Sequence, residues 1–191
     1  MIQLQHPASF DIPELKKILE VTTLDAFIKN VVKYGKVQDP DIYEPLKYMG
    51  DCWEVFAEFF FKFFNGDHTL TYTANYEPNL GIDKGIDGRG ICTLDAKPNV
   101  IQHKFKANPN TYLTNDDNVS NIVADATLNE GLIPNGKNVI IFTSCKGVHP
   151  NHAMASAHCI SNKEIARRVN GNLVFWSDFM ETIKNQNYDK E

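Results

Sequence analysis

Apolar positions recur at helical spacing over residues 1–64 and give way beyond them to short strand-like runs. Helices are predicted over Ile12–Val21, with Asp11 as a cap and Pro13 in the first turn, and over Leu24–Tyr34, ending at Gly35. A third, Asp51–Phe64, follows Gly50 and stops at Asn65-Gly66; it is apolar almost all round, so it is expected to be buried. Strand signals begin with Thr69–Thr73 and return, after the turn-rich stretch Asn79–Gly90, at Ile91–Leu94. Val100–Lys106 alternates, with Ile101, His103 and Phe105 on one face and Gln102, Lys104 and Lys106 on the other. Asn118–Asn129 and Asn162–Val169 read as helices and Asn138–Ser144 as a continuous apolar strand. Leu173–Trp176 reads as a last strand leading into a helix over Ser177–Lys184. Apolar strands alternating with helices predict an α/β sandwich around a mixed sheet.

Composition narrows the class without changing this picture. A chain of 191 residues that is 42% hydrophobic is long enough for a single domain with a real core. Its formal charge of -5 excludes a protein that coats nucleic acid through bulk electrostatics, but not one that grips it locally. Cys52, Cys92, Cys145 and Cys159 are scattered without paired spacing, and no basic segment followed by an apolar one opens the chain, so free thiols and a cytoplasmic location are expected. The richest apolar stretch, Trp53–Phe64, is interrupted by Glu54, Glu58 and Lys62, which argues against a membrane role.

Three segments taken in order carry the chemistry: Gly50-Asp51-Cys52-Trp53-Glu54 at the start of the buried helix, Asp83-Lys84-Gly85-Ile86-Asp87, and Val100-Ile101-Gln102-His103-Lys104. Gln102 and Lys104 alone would be unremarkable on an exposed strand face. Their weight comes from the Asp-x-Gly-x-Asp turn upstream and the glutamate-bearing helix before it. The set resembles the Mrr-like branch of the PD-(D/E)xK nuclease superfamily, in which a helix glutamate precedes a D-x-G-x-D turn and Q-x-K replaces the usual E-x-K. The resemblance covers about Gly50 to Lys184. It implies a three-layer α/β/α restriction-endonuclease-like fold over residues 50–191, with residues 1–49 as an N-terminal helical extension packed on the core.

What the resemblance implies for function is a metal-dependent DNA endonuclease of restriction or homing type, acting on double-stranded DNA and expected to pair as a homodimer so that two centres cut both strands. A Holliday-junction-type resolvase, or a module of the same fold that binds nucleic acid without cutting, are the alternatives; the second arises because Gln102 stands where an acidic ligand is usual. Hard oxygen ligands suit Mg²⁺, with Mn²⁺ able to substitute, and the expected ligands are the Asp87 carboxylate, the Gln102 amide oxygen and the His103 backbone carbonyl. Lys104 would orient or deprotonate the attacking water, or meet the charge developing on phosphate. Glu54 is placed at the site's edge, and Asp83 behind Asp87. Glu54, Glu58 and Lys62 fall at i, i+4 and i+8, and the alternative for this stripe is an exposed Glu58–Lys62 ion pair with Glu54 on a solvated face.

Arg89, Lys106, Lys146 and His149 are candidate contacts to DNA phosphates. Cys145, His149, His152, His158 and Cys159 lie close enough in sequence to suggest zinc, although their spacing matches no paired pattern. For Asp87 to face Gln102 in a plain hairpin, the turn must centre between Leu94 and Asp95, whereas the turn-forming letters run Asp95–Asn99. An uneven ladder is therefore expected, with Gly88 and Gly90 bending Asp87 toward the third strand.

Overall fold

A computed structural model of the chain describes residues 2–81, 85–152 and 156–186. The apolar run Val139–Thr143 is the parallel strand β4 and is buried at every position, as a strand covered on both faces must be. It lies in a five-stranded sheet with β1 (Thr73–Pro78), β2 (Gly88–Cys92), β3 (Pro98–Lys104) and β5 (His158–Ile160), in the spatial order β1-β2-β3-β4-β5. β1, β2 and β3 pair antiparallel, while β3, β4 and β5 pair parallel, which makes the sheet mixed as expected.

The helices are α1 (Ala8–Asp11), α2 (Leu15–Ile18), α3 (Leu24–Gly35), α4 (Pro45–Phe63), α5 (Asn121–Leu128), α6 (Asn162–Val169) and α7 (Leu173–Gln186). They flank the sheet in an arrangement compatible with three α/β/α layers. On one face α3, α4 and α7 build an aromatic core in which Phe142 of β4 meets Phe60 at 5.1 Å and Trp53 at 5.2 Å. On the other, Ile122 and Ala126 of α5 cover Val100, Val139 and Ile141. Each fully buried large side chain stabilises the fold by roughly 1.5–3 kcal/mol. No helix among the described residues is long and apolar enough to cross a membrane.

Several boundaries differ from the sequence pattern for local reasons. α4 begins at Pro45, because Pro45 suits a first helical position and the Glu44 carboxylate accepts the Leu46 and Lys47 N–H groups at 3.0 and 2.6 Å. The division expected between residues 49 and 50 thus falls inside α4, and Leu4, Ile18, Phe27 and Val31 share one core with Phe56 and Phe142. Pro13 forces Ile12 into an extended conformation, so the helix expected over Ile12–Val21 shrinks to the short α2. Leu173–Trp176 is not a strand: it is the first turn of α7, with Leu173 and Val174 exposed and Phe175, Phe179 and Ile183 inward at helical spacing. The remaining sheet edge is β5, which the sequence pattern did not suggest.

Candidate functional site

The β2–β3 hairpin sets the site's geometry. Its ladder runs evenly from Ile91–Pro98 to Gly88–Ile101, and Cys92 N–H reaches the Lys97 carbonyl at 2.7 Å around a loop in which Ala96 takes positive φ. The turn therefore centres between Leu94 and Asp95, and the ladder runs evenly through Gly88 and Gly90, contrary to the expectation of an uneven ladder; the irregularity falls at Asp87. Asp87 donates its N–H to Ile101, the residue Gly88 already faces, at 2.9 Å, so two residues stand against one. Gly88 is required there, since a Cβ would lie 2.4 Å from the Tyr76 ring.

This bulge turns the Asp87 side chain toward β3, where Oδ2 accepts the His103 N–H at 2.5 Å. Strand alternation then fixes the neighbouring groups. The Lys104 carbonyl is taken on the β4 side by Ser144 N–H at 3.2 Å, which places the His103 carbonyl on the opposite side, the Asp87 side, beyond the last β2–β3 pair. Gln102 and Lys104 share the face covered by α5, while the His103 ring packs near Phe61, Tyr76 and Phe142 on the aromatic face.

Glu54, Asp87, Gln102, His103 and Lys104 line a single cleft of about 530 Å³, walled by Gly85 and by Asn118, Asn121, Asp125 and Asn129 along α5 and its flanks. Among the described residues, three carboxylates stand against one ammonium in this cleft, a balance that attracts cations, and Lys104 enters no ion pair. Gly85, at φ +75°, keeps the floor open, because a Cβ would meet the Asp125 carboxylate at 2.8 Å and the Gln102 amide nitrogen at 3.4 Å. Gln102 is 2% exposed, and its amide oxygen is buried with no hydrogen-bond partner among the described residues. A buried orphan acceptor of this kind is costly unless a cation or a donor completes it. Gln102 Oε1, the Asp87 carboxylate and the His103 carbonyl are all hard oxygens, so the residues fit a magnesium ion.

Comparison with known proteins leaves the geometry to stand alone. No family model, curated protein or solved structure matches this chain.

Glu54 pairs with the N-terminal segment, where His6 Nε2 lies 2.8 Å from its Oε2. Burial pushes the Glu54 carboxyl up, but the His6 hydrogen bond, with further electrostatic help from His103, His6 and Lys47, holds it below the usual carboxylate range. Burial pushes His103 down to about 4, with Glu54 opposing the shift and His6 adding to it. Glu58 and Lys62 are not an exposed pair: Glu58 is fully buried and accepts the Gln5 and His6 N–H groups at 2.7 and 2.9 Å, while Lys62 binds Glu58 and the Gln3 carbonyl. The polar stripe on α4 holds Gln3, Gln5 and His6 of the N-terminal segment.

The other candidates separate. Arg89 pairs with Glu130 at 2.7 Å and Lys106 with Asp117, placing them at opposite ends of the α5 wall. Lys146 and His149 lie away from the cleft around the Tyr112 ring. The zinc set is not assembled: Cys145 is buried beside Thr143, His158 bonds the Leu70 carbonyl at 2.9 Å, and burial pushes the Cys159 thiol up to about 12. Among the described residues, the histidine, cysteine and carboxylate ligand atoms that do converge belong to His6, Asp51 and Glu54. Asp83 lies outside the described residues. The sequence reasoning missed His6, Asp51 and the α5 wall; Asn121, Asp125 and Asn129 at i, i+4 and i+8 were the available signal for that wall.

Proposed function

We propose that this chain is a magnesium-dependent endonuclease that hydrolyses phosphodiester bonds of DNA on a restriction-endonuclease-like fold. The reading rests on one observation above others: Gln102, whose buried amide oxygen has no hydrogen-bond partner among the described residues, lines the same cleft as Asp87 and Lys104. A bound magnesium ion would supply Lewis acidity toward the phosphate and acidify a water. Asp87, Gln102 and the His103 carbonyl are the groups that hold it. Asp87 is kept in place by the His103 N–H, so its carboxylate is oriented before any ion arrives. Lys104 extends from the same strand face as Gln102 and steers the attacking water or meets the developing negative charge. Arg89 and Lys106, at the two ends of the α5 wall, exchange Glu130 and Asp117 for DNA phosphates.

Supercoiled plasmid incubated with the chain and Mg²⁺ tests the reading. Wild type is expected to convert the plasmid to nicked or linear forms, and Asp87→Ala or Lys104→Ala to lower the rate on the order of 100-fold or more. Equal rates in all three proteins, or no Mg²⁺-dependent cleavage by wild type, would overturn it.

A further inference from the structure

A second opening of about 550 Å³ lies beside the first, lined by His6, Asp11, Tyr43, Glu44, Lys47 and Asp51 among others. His6 joins the two, since it lines this opening while hydrogen-bonding to Glu54 in the wall of the other. One ligand atom each from His6, Asp51 and Glu54 lies within 4.8 Å of the others. From this convergence we propose that the three residues form a cation site of their own, separate from Asp87 and Gln102, for a borderline divalent ion such as Mn²⁺, Co²⁺ or Zn²⁺.

The site is built by the fold rather than by chance proximity. Asp51 and Glu54 are three apart on α4 and project to neighbouring positions. His6 reaches them from far along the chain, and its backbone is fixed independently of its side chain. The N–H groups of Gln5 and His6 are held by the buried Glu58, Lys62 holds the Gln3 carbonyl, and the Gln186 amide holds the Leu4 carbonyl at 2.8 Å. The imidazole is thus delivered to a carboxylate pair by a strap whose position does not depend on the ion. One nitrogen with two carboxylates selects borderline ions over magnesium, which prefers oxygen alone and keeps its waters. The adjoining opening gives such an ion an entry path and room for water ligands.

The charges allow it. Lys47 and the Tyr43 hydroxyl both donate to Asp51 Oδ2, so two carboxylates face one ammonium and the group remains net negative. An ion on His6 Nε2 places the ring proton on Nδ1, which gives up the long 3.3 Å contact from the Ala8 N–H.

The inference does not depend on the phosphodiester reading, and the experiment separates the two. Full-length protein carrying Asp87→Asn, stripped with a chelator, is titrated with Mn²⁺ by calorimetry and examined by pulsed electron paramagnetic resonance. The expected result is Mn²⁺ binding with ¹⁴N modulation from an imidazole. Adding His6→Gln should remove that modulation and weaken binding at least about tenfold, and adding Asp51→Asn should weaken it similarly. Circular dichroism confirms that each variant folds, and Asp51→Asn carries the test if His6→Gln does not. Absence of Mn²⁺ binding in the Asp87→Asn protein, binding indifferent to both substitutions, or binding without the nitrogen signal would each overturn the proposal. Plasmid cleavage by wild type bears only on the function proposed above.

Discussion

The two faces of the sheet are built from different side chains and meet different demands. On the α4 face, Phe56 stands among Phe27 at 4.8 Å, Trp53 at 5.1 Å and Phe175 at 5.9 Å, and the Phe142 ring continues the layer across β4. On the α5 face the cover is aliphatic, Ile122 and Ala126 against Val100, Val139 and Ile141, and it gives out before the strand ends where Gln102 and Lys104 line the cleft. A close-packed aromatic layer cannot relax around a missing ring, whereas a thin aliphatic cover bordering an opening can. The thick face secures the sheet, and this allows the thin face to hold polar groups whose burial is itself unfavourable.

The largest expected effect tests that asymmetry directly. Phe56→Ala should lower the unfolding free energy by about 3–5 kcal/mol, and Ile122→Ala by about 2 kcal/mol, the low end for a buried aliphatic residue. Guanidinium denaturation at matched conditions measures both. If Ile122→Ala costs as much as Phe56→Ala, the faces are equivalent in stability and the comparison fails.

Acid should reveal a charge problem on the aromatic face that the other face lacks. The His103 ring is buried and its nitrogen is held down to about 4, against about 6.5 when unfolded. Above pH 6.5 neither state is protonated and His103 has no effect. As pH falls from about 6.5 to about 4 the unfolded chain takes up a proton that the folded chain refuses, so stability falls with pH, by about 3 kcal/mol at the limit. Denaturation at stepped pH in chelator-containing buffer measures the slope, and His103→Gln should flatten it across that window. A profile unchanged by the substitution would place the acid sensitivity elsewhere.

How much of this was legible in sequence follows the same division. The aromatic face was read correctly where it is local: the all-round apolarity of α4 and the continuous run of β4 each announce burial within one segment. Leu173–Trp176 misled because a short apolar run is ambiguous between strand and helix; the deciding positions, Phe179 and Ile183, lie beyond it. At the cleft, Asp87, Gln102 and Lys104 were visible because strand alternation puts Gln102 and Lys104 on one face and a glycine-flanked aspartate belongs in a bend. The α5 wall was not, because asparagines on a helix carry no chemistry until the fold aims them at a cavity. His6 was invisible for a stronger reason. Its partner Glu54 lies in another element, and the bonds that bring them together run through backbone N–H groups and the carboxylate of Glu58, which no residue pattern encodes.

The smallest expected effect is the most discriminating, because its sign separates a ligand from a structural glutamine. Gln102 Oε1 is buried without a partner among the described residues, and such a group costs stability that an apolar side chain of similar size would not. In chelator, Gln102→Leu should therefore raise the unfolding free energy by about 1 kcal/mol while abolishing the calorimetric signal for Mg²⁺ at Asp87. Gln102→Glu should do the reverse. A carboxylate buried near Asp87 lowers stability without an ion, and added Mg²⁺ should restore it by binding the folded state alone. If Gln102→Leu instead destabilises by as much as Ile122→Ala, Gln102 is packing material, and the polar cleft is the edge of an ordinary core rather than a prepared cation site.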